Sequence, residues 1–260
     1  MPPVTDAFAL TALALIGLVI GSFLNVCIHR LPRRTSIVSP GSQCPQCGYV
    51  LRWYDNVPVL SYVLLGGRCR GCKARIAARY PIVELITMAV FVAHGLVFGI
   101  DIMLVPRLLF ACALIVLFAI DLEHHLLLDV ITLPGIVVGL AFSLLLPPGI
   151  QSAVIGVLVG GGVLWLIGEA YYRYAGEEGM GGGDVKMLAM IGAFLGWKLA
   201  VLTLVFSSLA GSLVGLLVIA TRRGGMKYAL PYGTFLAIGA LVASLFGDQI
   251  VAWYTGLYQL

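Results

Sequence analysis

Long apolar stretches separated by short polar segments form the main pattern of this chain. Most of these stretches are long enough for a helix to cross the roughly 30 Å hydrocarbon core of a bilayer. They cover residues 8–28, 82–100, 104–120, 130–146, 152–172, 185–197, 199–220 and 230–246. The pattern therefore predicts an all-α polytopic membrane protein with about eight transmembrane helices.

Composition agrees with a membrane protein. Hydrophobic residues make up 60% of the 260 residues and charged residues only 11%, which excludes an ordinary soluble domain. The first apolar stretch has no basic residue before it and is longer than the apolar core of a signal peptide. We therefore expect it to be kept as the first transmembrane helix, within residues 1–29.

The basic residues divide unevenly between the two sides of the membrane. Alternating the loops from side to side places 14 of the 16 lysines and arginines on one side. The other side receives only Arg107 and Lys198. Because loops rich in lysine and arginine stay in the cytoplasm, the larger group marks the cytoplasmic face and both termini are expected in the periplasm.

One polar segment, residues 30–81, is long enough to fold outside the bilayer on the cytoplasmic side. It contains two C-x-x-C pairs, Cys44 with Cys47 and Cys69 with Cys72. We call each C-x-x-C pair a knuckle. Two knuckles at this spacing are typical of a tetrahedral zinc site, and four thiolates around one dication can hold a short loop folded. Disulfide, redox-active or free thiols remain alternatives, although a cytoplasmic loop disfavours disulfides.

Smaller features of the cysteine pattern complete this prediction. Gly48 follows the first knuckle and Gly71 lies inside the second, and both suit tight turns. Cys27 and Cys112 lie within apolar stretches, where we expect them to be small buried hydrophobic side chains.

Two aspartates lie where apolar helices meet the cytoplasmic face. Asp121 ends the third stretch and Asp184 begins the sixth. Fourteen residues separate Arg107 from Asp121, and fourteen separate Asp184 from Lys198. Each interval spans roughly 21 Å of helix. With Arg107 and Lys198 at the outer interface, both carboxyl groups are expected several ångströms below the cytoplasmic surface, at similar depth.

Two carboxyl groups at one depth in a membrane are costly unless they have a function. The chemistry that suits them is aspartyl hydrolysis, in which an ionised and a protonated carboxyl group share one water. By its dipole, a helix beginning at Asp184 favours the ionised form there, and a helix ending at Asp121 disfavours it. The neighbouring glycines would let a substrate backbone approach or would form a hinge; they are Gly179, Gly181, Gly182 and Gly183.

Other interpretations of the acidic residues remain open. Either aspartate alone could be a helix cap or a solvated side chain. The group Asp121, Glu123, His124 and His125 could hold a metal, although adjacent histidines point to different faces of a helix. A proton- or ion-coupled transporter with a structural zinc loop is the competing functional class, because intramembrane acids and glycine-broken helices also suit transport.

Together these segments resemble the type IV prepilin peptidases, GxGD-type aspartyl proteases of the bacterial inner membrane. The resemblance covers about residues 20 to 237. The matching segments are Gly21-Ser-Phe-Leu-Asn25, Cys44-x-x-Cys47, Asp55-Asn-x-Pro58, Cys69-x-x-Cys72, Arg79-Tyr-Pro-x-x-Glu84, Asp121 and Gly179-Met-Gly-x-Gly-Asp184-x-Lys186.

The resemblance implies an activity and a division of labour. Family members cut the basic leader from type IV prepilins or pseudopilins after a glycine, at the cytoplasmic face, and most then methylate the new N-terminus with S-adenosylmethionine. Asp121 and Asp184 match the catalytic pair, supported by Gly181, Gly183 and Lys186. Gly67-Arg68 match the pair associated with methyl transfer. Residues 30–81 would then be the zinc-binding and methyl-transfer region, and residues 82–260 would carry the protease site.

Two segments depart from the family pattern. Leu127-Leu128-Asp129 stands where the family commonly has Leu-Pro-Asp. Thr234 stands where the second proline of Pro-x-Gly-Pro is usual. These changes affect the starts of two cytoplasmic helices and leave the aspartate pair unchanged.

A cluster of acidic residues agrees with a basic substrate. Segments 121–129 and 173–186 contain Asp121, Glu123, Asp129, Glu177, Glu178 and Asp184. An acidic mouth on a basic face would attract a basic leader peptide, whereas ordinary solvated loops are the alternative. We expect leader-bearing precursors and membrane lipids as partners, in pilus assembly or type II secretion, and no nucleic acid.

Overall fold

The computed structural model describes residues 6–176, 181–221 and 230–256. Within these residues the chain forms α-helices, one short 3-10 helix over Trp53–Asn56 and two isolated β-bridges. The α-helices are α1 (Ala7–Arg30), α2 (Leu60–Leu64), α3 (Arg79–Phe98), α4 (Leu104–His124), α5 (Asp129–Ser143), α6 (Ile150–Ala175), α7 (Gly182–Ala220) and α8 (Tyr232–Gly256).

The helices account for all the predicted apolar stretches. Among the described residues, six helices are long and apolar enough to cross a membrane, and α5 is a shorter apolar helix. The 39-residue α7 contains two predicted stretches, because its backbone leaves the helical conformation at Gly196, where φ is 78°. A side chain at Gly196 would overlap the Ser152 hydroxyl, so glycine is required by both conformation and space.

The chain forms two compact units, Met1–Val116 and Leu117–Leu260, and the division falls within α4. The boundaries expected from the sequence, after residues 29 and 81, separate membrane segments from the aqueous loop and stay a prediction. Each unit is held by a different set of close helix contacts.

In the first unit, α1 packs directly on the backbone of α3. A Cβ atom at Gly17 would lie 2.7 Å from the Met88 Cα, and one at Gly21 would lie 2.7 Å from the Glu84 Cα. Gly17 and Gly21 therefore form a small-residue stripe of the kind that brings membrane helices together. Cys27 is buried as expected, whereas Cys112 is half-buried.

In the second unit, the first half of α7 lies at the centre. Its residues 187–193 are all buried, and α5, α6 and α8 all pack on α7. Gly156 of α6 and Gly192 of α7 meet so closely that a Cβ on either would overlap the other's backbone. On the α5 side, the Ser143 hydroxyl donates to the Ala193 carbonyl at 3.0 Å. Asp184 therefore lies in the first turn of α7, three residues before this buried run.

Candidate active site and metal centre

Asp121 lies in the last turn of α4 and is only 5% exposed. The helix ends immediately afterwards because His125 adopts a left-handed conformation, with φ 52°, and its N–H bonds the Asp121 carbonyl at 2.9 Å. The Asp121 side chain turns towards the start of α8. Its Oδ2 accepts a hydrogen bond of 2.8 Å from the Thr234 backbone N–H.

Asp184 lies in the first turn of α7 and is half-buried. Its carboxyl group interacts electrostatically with that of Asp121, so the structure brings together the two aspartates that the sequence singled out. Two such groups at one site ionise as a coupled pair, in which one proton is readily shared. The arrangement can therefore present one base and one acid to a bound water.

Leu127, in the segment between α4 and α5, is the neighbour that sequence reasoning missed. A Cβ at Gly183 would lie 2.7 Å from the Leu127 Cβ. A Cβ at Gly233 would lie 2.9 Å from both the Leu127 side chain and the Asp121 Oδ2. Leu127 is thus wedged between the starts of α7 and α8. Both departures from the family pattern lie next to these contacts. They were the feature of the sequence that could have pointed to Leu127.

The glycines before Asp184 differ in what surrounds them. Gly183 is needed because Leu127 occupies the space of its missing side chain. A Cβ at Gly181 would be in ordinary contact with Asp184 Oδ2 at 3.4 Å. Gly182 has open space around it among the described residues. Gly179 lies outside the described residues, as do Glu177 and Glu178 of the expected acidic mouth.

Lys186 forms an ion pair with Asp129. Its Nζ lies 2.8 Å from each carboxylate oxygen of Asp129. The pair joins the first turn of α7 to the first turn of α5, although both side chains are partly exposed. Lys186 therefore contributes to the position of α7. Within the part of the chain that the structure describes, no hydrogen bond joins Lys186 to Asp184.

The four loop cysteines form one cluster. Their Sγ atoms all lie within 4.8 Å of one another, with Cys44 and Cys72 at 3.9 Å and Cys47 and Cys69 at 4.0 Å. No disulfide joins any of the six cysteines, all of which are described. A tetrahedral zinc with Zn–S bonds of about 2.3 Å separates its sulfurs by about 3.8 Å. The cluster therefore fits a zinc ion.

The electrostatics of the thiols agree with a cation at this position. Backbone N–H groups of Cys47 and Gln46 lower the pKa of Cys44 to about 7, which favours the thiolate that metals bind. Cys47 receives a backbone bond from Tyr49, but desolvation and the neighbouring thiols raise its pKa to about 11. Four thiolates so close together would therefore need a positive ion between them.

The two knuckles share one backbone design. Cys44 N–H donates to the Tyr49 carbonyl at 2.9 Å, and Cys69 N–H donates to the Ala74 carbonyl at 2.8 Å. The residue after each second cysteine is left-handed: Gly48 has φ 71° and Lys73 has φ 61°. The expected turn role of Gly48 is therefore confirmed. Gly71 also lies in a turn, as expected, although the left-handed residue of the second knuckle is Lys73.

Asp55, from the Asp55-Asn-x-Pro58 segment, ties the two knuckles together. Its buried carboxylate accepts bonds from Arg70 Nε at 2.7 Å and from the Tyr49 hydroxyl at 3.1 Å. Burial acts to raise the pKa of Asp55, but the bonds from Arg70, Tyr49 and the Arg52 N–H outweigh it and hold the pKa below its ordinary value. Tyr49 also packs closely against Gly71, where a Cβ would lie 3.3 Å from the Tyr49 Cβ.

Gly67 and Arg68 lie just before the second knuckle. Gly67 is left-handed, with φ 65°, and a Cβ there would lie 2.9 Å from the Tyr62 hydroxyl. Arg68 is exposed and forms an antiparallel bridge with Arg75. Gly67 thus has a structural reason to be glycine, whereas the Arg68 guanidinium is accessible to a ligand.

The Glu84 side chain supports the loop from α3. It is buried and accepts a 2.7 Å bond from the Val59 N–H. Val59 has φ 59° and ψ −49°, a strained conformation for a β-branched residue. Nearby, Asn25 of α1 donates to the Tyr80 carbonyl at 2.9 Å. Through these contacts, the Gly21–Asn25, Asp55–Pro58 and Arg79–Glu84 segments lie close to one another in the structure.

Comparison with known proteins agrees with these features. Residues 15–98 match the Bacterial Peptidase A24 N-terminal domain, and residues 108–216 match the Type IV leader peptidase family. The chain is 38% identical over 271 residues to a "Prepilin leader peptidase/N-methyltransferase" of Pseudomonas putida, covering 95% of this chain and 93% of that protein.

Other relatives carry the same name. One from Aeromonas salmonicida (strain A449) is 41% identical over 270 residues, covering 92% of this chain and 91% of the relative. One from Pseudomonas aeruginosa is 37% identical over 272 residues, covering 95% and 93%. No solved structure matches the chain. Neither these names nor the matched families favour the transporter alternative.

Proposed function

Because the chain belongs to the type IV leader peptidase family, we propose that it cuts the basic leader from prepilin or pseudopilin precursors and methylates the new N-terminus. The observation that carries the proposal is the electrostatic interaction between Asp121 and Asp184, two carboxyl groups from separate helices in one unit whose surroundings share Leu127 as a neighbour. A family of leader peptidases needs such a pair for hydrolysis without a covalent intermediate.

Asp121 and Asp184 are the catalytic residues in this proposal. The ionised carboxyl group accepts a proton from water, and the water oxygen attacks the carbonyl carbon of the scissile peptide bond. The protonated carboxyl group donates its proton to the carbonyl oxygen. After this step each carboxyl group is in the opposite protonation state. When the tetrahedral intermediate collapses, the newly protonated carboxyl group gives its proton to the leaving amine, the other carboxylate takes a hydroxyl proton from the intermediate, and the C–N bond breaks. Each carboxyl group is then back in its starting protonation state.

Three further residues support this pair. Gly183 lets Leu127 pack against the start of α7, and Lys186 fixes that start to Asp129. Gly181 has no side chain beside the Asp184 carboxyl group, where a Cβ would lie 3.4 Å from Oδ2. In this proposal the three residues shape the surroundings of Asp184 and exchange no proton with the substrate.

The site works at the cytoplasmic face of the inner membrane, with both termini in the periplasm. This orientation rests on the 14 basic residues that alternate loops place on one side. A basic leader would be attracted by the carboxyl groups at the helix ends. Asp129 contributes less than expected to this attraction, because Lys186 neutralises it.

The cysteine cluster holds one zinc ion through Cys44, Cys47, Cys69 and Cys72. The ion would supply folding free energy to a loop that buries few side chains. Methyl transfer from S-adenosylmethionine belongs to the same loop. Arg68 is the residue best suited to the carboxylate of that co-substrate, because an exposed guanidinium can bind a carboxylate through two hydrogen bonds.

The peptidase half is tested with purified protein in lipid and a prepilin precursor. Asp121→Asn and Asp184→Asn should each lower cleavage by at least about a thousand-fold, since general acid–base catalysis supplies about 10²–10⁴. Glu169→Gln, which changes a half-buried carboxylate of α6 that pairs with Arg173, is the matched control and should cleave normally. Normal cleavage by either aspartate variant would remove that residue from the catalytic pair.

The methyltransferase half is tested by mass spectrometry of the processed precursor. Arg68→Ala should leave cleavage intact and abolish methylation of the product. Arg75→Ala, which removes the exposed arginine paired with Arg68 across the β-bridge, should leave both reactions intact. A cleaved and fully methylated product from the Arg68 variant would show that this arginine has no part in methyl transfer.

A further inference from the structure

The first turn of α8 lies directly on the Asp121 carboxylate. Thr234 N–H donates to Asp121 Oδ2 at 2.8 Å, and more distantly to the Pro231 carbonyl at 3.2 Å. A Cβ at Gly233 would lie 2.9 Å from the same oxygen, so the missing side chain is what lets the carboxylate reach the helix backbone. The Thr234 hydroxyl is turned away and donates to the Pro231 carbonyl at 2.6 Å. The contact with Asp121 is therefore made by the backbone alone.

This contact favours a negative charge on Asp121. The first N–H groups of a helix have no partner four residues back, and the helix dipole is positive at that end. A carboxylate held there makes a charge-assisted hydrogen bond, which is stronger than a neutral one. Because Asp121 is 5% exposed, water offers little alternative solvation to this oxygen.

Asp184 has no comparable donor. Among residues 6–176, 181–221 and 230–256, no hydrogen bond reaches its carboxyl group. Asp184 also lies in the first turn of a helix, but its backbone N–H donates to the Gly181 carbonyl at 3.0 Å and to no carboxyl group. The two carboxyl groups thus differ in solvation. The direct hydrogen bond from α8 favours the charged form of Asp121 more than the dipole of its own helix disfavours it.

We propose that the Thr234 N–H is a positioning donor that keeps Asp121 ionised, so that Asp121 is the base and Asp184 the acid. The inference rests on the proposed peptidase function. It reverses the roles expected from helix direction alone. Thr234 acts through Asp121, and proline, which the family pattern has at this position, could not donate this bond.

One neighbouring group adds to the effect of this bond, because His125, just after the end of α4, also interacts electrostatically with Asp121. The titratable or charged groups around Asp121 are Asp184 and Lys186 of α7, Asp129 of α5, and Glu123, His124 and His125 at its own helix end. The described first turn of α8 contributes no charged side chain. Lys186 and Asp129 neutralise each other, so α8 acts on Asp121 through its backbone and dipole.

The test is the pH dependence of kcat/KM for precursor cleavage in lipid. Thr234→Pro removes the N–H, and Thr234→Ala keeps it as the matched control. A third protein replaces the Thr234 amide with an ester, using the α-hydroxy analogue of threonine in cell-free synthesis. The ester removes the donor without added bulk, so it decides the question if the proline ring displaces Asp121.

A carboxylate base that loses a hydrogen-bond donor is protonated more easily. As the pH is lowered, the activity should therefore begin to fall at a higher pH than in the unchanged protein. Without the N–H, we expect this acidic limb to move up by about one to two pH units, as one charged hydrogen bond is worth about 1.5–3 kcal/mol. The maximal rate should stay within about ten-fold of normal, since the base remains in place. Thr234→Ala should follow the unchanged protein.

Two outcomes would overturn the inference. One is an ester protein with the same acidic limb as Thr234→Ala. The other is a Thr234→Ala limb that moves as far as that of the ester, which would assign the effect to the hydroxyl group. Asp121→Asn separates these results from failure of the peptidase proposal. If that variant is inactive while the ester protein is unchanged, only the role of Thr234 is refuted.

Discussion

The zinc loop and the aspartate site are ordered by different means. Between residues 31 and 78, only Asp55 and Cys69 are buried, so the loop has almost no apolar core. Its order comes from four sulfurs, the Asp55 hydrogen bonds and left-handed turns. The aspartate site instead rests on the buried first half of α7 and on glycines that let helix backbones touch.

The difference identifies what each region depends on. A segment without a core loses its order when its cross-link is removed, because conformational entropy is then unopposed. A site at the ends of packed helices is insensitive to a distant ligand and sensitive to any added atom between the helices. Damage to one region should therefore be separable from damage to the other.

The largest expected effect comes from removing the zinc. Structural zinc contributes apparent binding free energies of about 10–16 kcal/mol in small domains, so Cys44→Ser or a strong chelator should unfold the loop. Metal analysis should give one zinc per chain before treatment, and limited proteolysis should then cut within residues 30–81. Precursor cleavage should persist, because the aspartate site lies among packed helices.

Cys27→Ser is the control for this experiment, since Cys27 lies outside the cluster. It should keep both zinc and protease resistance. Protein purified without chelator that holds no zinc, or that contains a disulfide between cluster cysteines, would contradict the metal-centre assignment.

The next effect concerns the helix contacts beneath the aspartate site. A Cβ at Gly160 of α6 would lie 2.7 Å from the Leu188 carbonyl oxygen of α7, whereas one at Gly162 would meet nothing within 4 Å. Gly160→Ala should lower thermal stability by about 2 kcal/mol, the usual cost of overpacking. Gly162→Ala should be neutral or slightly stabilising. Zinc content should be the same in both, and equal stabilities would argue against the close α6–α7 contact.

A smaller effect is expected from Asp55→Asn. Loss of the charged bond to Arg70 should speed zinc release to a chelator by about ten-fold, with no change in cleavage. Because the pKa of Asp55 is held below its ordinary value of about 3.9, this contribution is present above that pH and is lost only as the pH falls through the lowered value. The ratio of the zinc release rates of Asp55→Asn and the unchanged protein should therefore be constant between about pH 6 and 8. If the two rates became equal within this range, the Asp55 carboxylate would not be the cause of the difference.

The smallest effect belongs to the ion pair between Lys186 and Asp129. Both side chains are partly exposed, with 39% and 54% relative exposure, so the pair should be worth less than about 1 kcal/mol. Lys186→Met should reduce cleavage less than ten-fold, and raising the salt concentration should shrink the difference from the unchanged protein. A complete loss of cleavage would assign Lys186 a role in the chemistry itself.

Local features were accessible from the sequence and long-range contacts were not. The knuckles could be predicted because two thiols three residues apart form half a metal site within one turn. The partner of Lys186 could not, because Asp129 is 57 residues away and ion pairs leave no periodic pattern. Leu127 was missed for the same reason, since its contacts with Gly183 and Gly233 exist only once three helix ends meet.

The sequence by itself determined that this chain is a helical membrane protein with a cysteine-clustered loop and two aspartates at helix ends. Hydropathy, spacing and residue type are read one segment at a time, and each of these features belongs to one segment. Only the tertiary structure decided which group solvates Asp121, because that depends on where α8 begins relative to α4. The Thr234 N–H bond joins residues 113 positions apart, and its effect on charge is set by distance and burial rather than by either residue's identity.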